Sequence, residues 1–182
     1  MALKEYCRGK RQKPAWAIGE LDDYGTKDIN SINTIFLLKK KTYLGALDAL
    51  RNGKIYTVLK AKGTPAMMLA DFRIYHPNQN SIAYSGDEFK TNSNPTIKIR
   101  IAQKNVIYNN NSAKKNKATL VTLKILRQGK LIKEYNQSLP ISITYNDDYR
   151  YSPGEMIYYR IETTDEKGGK LISNPIFVRF EK

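Results

Sequence analysis

Met156-Ile157-Tyr158-Tyr159-Arg160-Ile161-Glu162, a Gly168-Gly169 turn, and Ser173-Asn174-Pro175-Ile176-Phe177-Val178 together decide the fold. Ile157, Tyr159 and Ile161 alternate with Tyr158, Arg160 and Glu162, and Ile176, Val178 and Phe180 alternate with Phe177 and Arg179. Side chains on a strand point to opposite faces in turn, so this pattern reads as two long antiparallel strands, each burying one face. Working backwards, the same period of two recurs. It appears at Ile141, Ile143 and Tyr145, at Val121, Leu123 and Ile125, and at Ile97, Ile99 and Ile101. Weaker strands are predicted over 68–75 and 82–84, and Gln128-Gly129 marks a tight hairpin before Lys130-Leu131-Ile132. So many alternating strands over residues 64–182 predict a mainly β fold, an immunoglobulin-like antiparallel β-sandwich.

The first 63 residues read differently, as a short α/β segment. Ala2 to Gln12 suits a helix with Leu3, Tyr6 and Cys7 on one side, ended by Pro14. The apolar runs Ala15 to Gly19 and Asn33 to Leu38 read as buried strands. Thr42 is placed to cap a helix from Tyr43 to Arg51, with Tyr43, Ala46, Leu47 and Leu50 as its apolar stripe. Asn52-Gly53 stops that helix in the left-handed conformation, and Ile55 to Leu59 follows as a strand.

Composition narrows the chemistry. The 182 residues hold one histidine and one cysteine, so an internal disulfide, a thiolate metal cluster and a two-histidine zinc site are all excluded. No apolar run approaches the roughly 20 residues of a membrane helix, and no signal-like segment opens the sequence; the compartment stays unassigned. The net charge of +14 is spread over Arg8, Lys10, Arg11 and Lys13, then Lys39 to Lys41, then Lys114, Lys115 and Lys117. Lacking a basic helical face interleaved with aromatics, this reads as a solvated surface, and nucleic acid is not expected as a partner. The tract Asn109 to Lys117 reads as a polar loop between strands. Of the tyrosines, Tyr145 and Tyr159 are in phase with core isoleucines, whereas Tyr158 faces outward, where it can meet a neighbouring domain.

Ala46-Leu47-Asp48-Ala49-Leu50-Arg51-Asn52-Gly53-Lys54-Ile55-Tyr56 resembles an "ALRxGRxY" element near the end of PHP-superfamily (polymerase and histidinol phosphatase) proteins. Leu126-Arg127-Gln128-Gly129-Lys130-Leu131-Ile132 is similar to their internal "IRNGK" hairpin. The closing phrase from Tyr158-Tyr159-Arg160 to Ser173-Asn174-Pro175-Ile176-Phe177-Val178 is similar to the end of the larger members. The resemblance implies the last part of a metal-dependent phosphoesterase, whose irregular β/α barrel carries an appended β-sandwich. It implies a divalent metal in the parent family, held by a leading His-x-His, further His and acidic ligands, and a final Asp-x-His. Here Asp22 matches the aspartate of that final motif, but Tyr24 stands where the histidine belongs. A phenol of pKa about 10 is a poor substitute for imidazole.

The leading expectation is therefore a non-catalytic accessory region, packing on or positioning substrate for a barrel that this chain lacks, with no cofactor of its own. Its expected partner is that barrel or, failing it, a second copy held through residues 1–60. Glu20, Asp22, Asp23 and Asp28 form the one acidic cluster after an apolar run. Carboxylates of this kind either hold a hard cation or form a solvated loop, and the loop is the expectation. His76, before Pro77, reads as a turn histidine. The alternative reading is a free-standing carbohydrate- or protein-binding β-sandwich module using the loop at 109–117.

Overall fold

In a computed structural model of the chain, the described residues are 2–20, 31–62, 64–76, 79–103 and 119–181. The helices are α1 (Ala2–Cys7) and α2 (Tyr43–Arg51). The strands are β1 (Ile32–Phe36), β2 (Ile55–Leu59), β3 (Met67–His76), β4 (Gln79–Tyr84), β5 (Glu88–Thr91) and β6 (Thr96–Gln103). They continue as β7 (Leu120–Arg127), β8 (Lys130–Ser138), β9 (Ile141–Asn146), β10 (Met156–Asp165), β11 (Lys170–Ser173) and β12 (Ile176–Phe180). One sheet runs β4-β3-β6-β9. The larger one runs β1-β2-β11-β10-β12-β5, with β7 on the other side of β10 and β8 beyond it.

The alternating isoleucines and valines explain why the two sheets face each other. Ile97, Ile99, Ile101, Ile141, Phe72 and Ile74 from the smaller sheet meet Val121, Leu123, Ile125, Ile157, Ile161 and Val178 from the larger in one buried cluster. Burying a side chain of this size contributes about 1.5–3 kcal/mol. The fold is thus mainly β, a sandwich, as the periodicity predicts. Tyr159 is fully buried in that core, and Tyr145 packs against it half-exposed.

The terminal strand departs from the sequence reading: the closing phrase is not one strand but two, β11 and β12, broken at Asn174-Pro175. On β10, Tyr159 is opposite Ile176 while Glu162 is opposite Ile172, so three residues face two across the break. This is a bulge. Proline has no N–H to give to a ladder, and side chains take over the bonding. The Ile161 N–H donates to Ser173 Oγ (2.9 Å), and Pro175 uses its carbonyl to accept from Gly86 N–H (2.7 Å). Beyond the break the sheet forks. β11 continues antiparallel into β2 and then β1, whereas β12 pairs in parallel with β5, a strand not foreseen in the sequence. The α/β segment and the sandwich consequently share one sheet.

Three further expectations for the first third change. Residues 15–19 form no strand, and Ala17 and Ile18 are exposed, because this stretch pairs with side chains rather than with a neighbouring strand. β1 exists but is half-exposed, since it is the last strand of its sheet. α1 stops at Cys7, where Gly9 takes φ +70°, well before Pro14. α2 forms as predicted, with the Thr42 side chain accepting from Gly45 N–H (3.1 Å) and Gly53 at φ +65°. Its buried residue is nevertheless Ala49, and Tyr43 projects into solvent.

Asn174 is 1% exposed and bonds to two other segments, so Asn174→Ala leaves the buried Ile55 carbonyl unpaired and frees Ala17. The expected cost is about 2–3 kcal/mol, equivalent to a drop of about 5–10 °C in Tm. Calorimetry checks it; an unchanged Tm would remove Asn174 from the account of the fork.

Candidate functional site

The most elaborate constellation is the joint where the amino-terminal third meets the forked sheet. Asn174 Oδ1 accepts from Ala17 N–H (2.7 Å), and its Nδ2 donates to Ala17 O (3.3 Å) and Ile55 O (3.2 Å). One amide thereby ties residue 17, the start of β2 and the break in the terminal strand. Trp16 Nε1 donates to Arg51 O (2.9 Å), using a carbonyl in the last turn of α2. Its indole lies against Gly53 so closely that a Cβ there would stand 2.5 Å from ring carbons. Gly86 is similarly constrained: its φ is +87°, and an added Cβ would lie 1.9 Å from Asn52 O. Lys54 pairs with Asp87 beside this contact.

The outer face of β10 and β12 completes the joint. Met156, Tyr158 and Phe177 are buried beneath Leu3, Tyr6, Cys7 and Trp16. Tyr6 meets Phe177 edge-on, with centroids 4.8 Å apart, an arrangement that suits the ring quadrupoles. The outward phase of Tyr158 is real, and what covers it is this chain's own amino-terminal segment. Burial pushes the Cys7 thiol up to about 11, so it is an inert apolar contact at neutral pH.

The expected metal ligand Asp22 lies outside the described residues, as do Tyr24, Asp23 and Asp28; Glu20 is exposed. His76 ends β3, opposite Gln79. Among the described residues no three His, Cys, Asp or Glu side chains converge as metal ligands. The described residues therefore do not by themselves gather the donor set that the resemblance implies. The loop at 109–117 on which the binding-module reading rests is also outside them.

A buried polar network that sequence reasoning missed sits at the far end of β7. The Asp147 side chain is fully buried, and Arg127 Nη1 donates to both its oxygens (2.7 and 2.8 Å). The Tyr159 hydroxyl donates to its Oδ2. The Arg127 guanidinium also lies over the Tyr149 ring, 4.2 Å from the centroid, and Tyr149 donates to Glu155 Oε1 (2.7 Å). Burial by itself would lower the Arg127 pKa, but its bonds to Asp147 outweigh that and leave it raised. Burial first, and then the bond to Asp147, hold the Tyr159 hydroxyl well above its ordinary value. With both carboxylate oxygens occupied, Asp147 is poorly placed to serve as a base. The network braces β7, β10 and the β9–β10 connection. Nothing in Asn146-Asp147-Asp148 singles out the middle residue; only the chain path brings Arg127 and Tyr159 to it.

A search against protein-family models gives no match, and no curated protein matches the chain.

Two expectations follow from the network. Asp147→Ala strands a partly buried guanidinium and the buried Tyr159 hydroxyl, so it should cost about 3 kcal/mol in a denaturant titration, whereas Asp148→Ala, its neighbour, should cost under about 0.5 kcal/mol. The phenols titrate with a definite sign. Tyr6, Tyr56, Tyr135, Tyr145, Tyr149, Tyr158 and Tyr159 all have raised pKa values. A group raised in the folded state gives stability that is complete below its unfolded pKa and lost as pH rises. Stability should therefore hold to about pH 10 and fall above it. The part of the phenolate absorbance that belongs to the buried Tyr56, Tyr158 and Tyr159 should then rise together with unfolding rather than ahead of it.

Proposed function

We propose that this chain is a non-catalytic accessory region of a PHP-like metal-dependent phosphoesterase. In this reading the sandwich is a rigid base, and the β1–α2–β2 unit is the part offered to a catalytic barrel. One observation carries it. The three most exposed large apolar side chains among the described residues are Tyr43 (77%), Leu44 (74%) and Ile18 (60%), all in the amino-terminal third. Tyr43 and Leu44 open α2, the helix that resembles the barrel's closing element. Exposed apolar side chains mark contact surfaces when they are contiguous, as Tyr43 and Leu44 are in the first turn of α2. The joint at Trp16, Gly53, Gly86 and Asn174 supports the same reading, because it fixes that unit firmly to the sandwich. A barrel seated on α2 would then be held at a set angle.

The test is binding and turnover together. The purified chain, supplied with Mn²⁺ or Zn²⁺, is expected to leave p-nitrophenyl phosphate intact. It is expected to bind a PHP barrel produced without its own sandwich, and Tyr43→Glu with Leu44→Glu should weaken that binding at least tenfold in calorimetric titration. Metal-dependent phosphoester hydrolysis by the chain alone, abolished by Asp22→Ala, would overturn the proposal. So would a barrel indifferent to the α2 variant.

A further inference from the structure

The solvent face of the smaller sheet gathers charge that looks scattered in the sequence. Along β3 and β6, Phe72, Ile74, Ile97, Ile99 and Ile101 point into the core, so Arg73, Tyr75, Lys98 and Arg100 point out. Register sets them side by side. Arg73 stands between Tyr84 on β4 and Lys98 on β6, and Lys98 is next to Thr144 on β9. Arg100 lies between Asp71 and Ser142. Tyr75 is opposite Ile82, so Tyr75 and Tyr84 are diagonal neighbours on adjacent strands. No described element packs over this face, where Tyr84, Ile82, Met68 and Arg100 are exposed.

The charge on the face is unbalanced. Asp71 is the one carboxylate on these strands, and among the described residues its one ion pair is with Arg73, at 3.4 Å. Lys98 and Arg100 make no ion pair among the described residues. Arg73 additionally lies over the Tyr75 ring, 5.9 Å from its centroid, at the outer reach of a cation–π contact. Two rings on the β3–β4 side and two unpaired cations on β6 thus form parallel rows.

We infer that this face binds single-stranded nucleic acid. Bases stack on Tyr75 and Tyr84, and phosphates lie over Arg73, Lys98 and Arg100. Flat rings beside a groove of cations are what sequence-tolerant single-strand binding requires, since every base has a face to stack. A duplex hides those faces, and this sheet presents no helix to enter a groove. An acidic polysaccharide would satisfy the cations while leaving the paired rings with less to do. The net charge of +14 adds long-range attraction but sets no site.

The test uses the full chain and a fluorescein-labelled oligothymidylate of about 12 nucleotides, followed by anisotropy. Three phosphate contacts give a slope of about −2 in log affinity against log salt, so affinity should fall about 20-fold between roughly 50 and 200 mM salt. Lys98→Gln with Arg100→Gln should flatten that slope to about −0.7. Tyr84→Ser should weaken binding at least about fivefold. These positions face solvent, and an unchanged Tm confirms that the variants fold. Lys130→Gln with Lys133→Gln, on β8 of the other sheet, should change affinity by less than about twofold. The inference is overturned by any of four results: no binding at low salt; equal losses in the β8 variant; loss only on replacing Lys114, Lys115 and Lys117; or tighter binding to heparin that ignores Tyr84.

Discussion

Everything in the larger sheet turns on the interruption at Asn174-Pro175. A continuous strand there would pair β10 along its whole length and offer one uniform edge beyond it. Because proline cannot donate and the register slips by one residue, the edge becomes two short strands that take different neighbours. The cost is a set of backbone groups without ladder partners, buried where water cannot reach them. Ser173 and Asn174, each 1% exposed, meet that need with a hydroxyl and an amide. The Ser-Asn-Pro phrase is therefore a device for splitting a sheet.

That split is what lets the amino-terminal third attach. β2 takes the β11 half of the fork, and the turn through Gly86 comes down beside the end of α2 from the β12 half. The two meet at Asn52 and Gly53, a helix terminus that already needs a left-handed residue for its own geometry. Gly53 then serves twice, since only a residue without Cβ leaves room for the Trp16 indole. A helix stop, a docking surface and a sheet fork are thus combined in a few residues. The Arg127–Asp147–Tyr159 network performs a comparable task on the opposite side of β10, holding β7 and the β9–β10 connection in place. Side-chain bonds thus brace β10 on both edges, and β2 and β1 extend the sheet beyond the fork.

Much of the fold was legible in the residues themselves. Period-two alternation at Ile97 to Ile101, Val121 to Ile125, Ile141 to Tyr145 and Ile157 to Ile161 reports one-sided burial wherever a strand lies in a sandwich, so those strands are found without coordinates. Thr42 and Gly53 likewise announce α2, because capping is local chemistry. Where the reading failed, the deciding partner was remote. Ala15 to Gly19 is as apolar as a strand, yet its bonds go to the side chains of Asn174 and Thr34. β1 has a core-like composition and ends up at an edge, and β5 is too short to announce itself.

The sequence alone determined the class of the molecule, a β-sandwich with a helix-bearing leader, because hydrophobic period and caps act over a few neighbouring residues. It also excluded an internal disulfide, a thiolate metal cluster and a two-histidine zinc site, since the chain has one histidine and one cysteine. Tertiary structure alone decided which charges stand together. Arg73, Lys98 and Arg100 are separated by up to 27 positions yet share one sheet face, while Asp147 finds Arg127 and Tyr159 only through the chain path. The reason is physical: burial pattern is written along each strand, but the register between strands is fixed by the packing of the whole sheet.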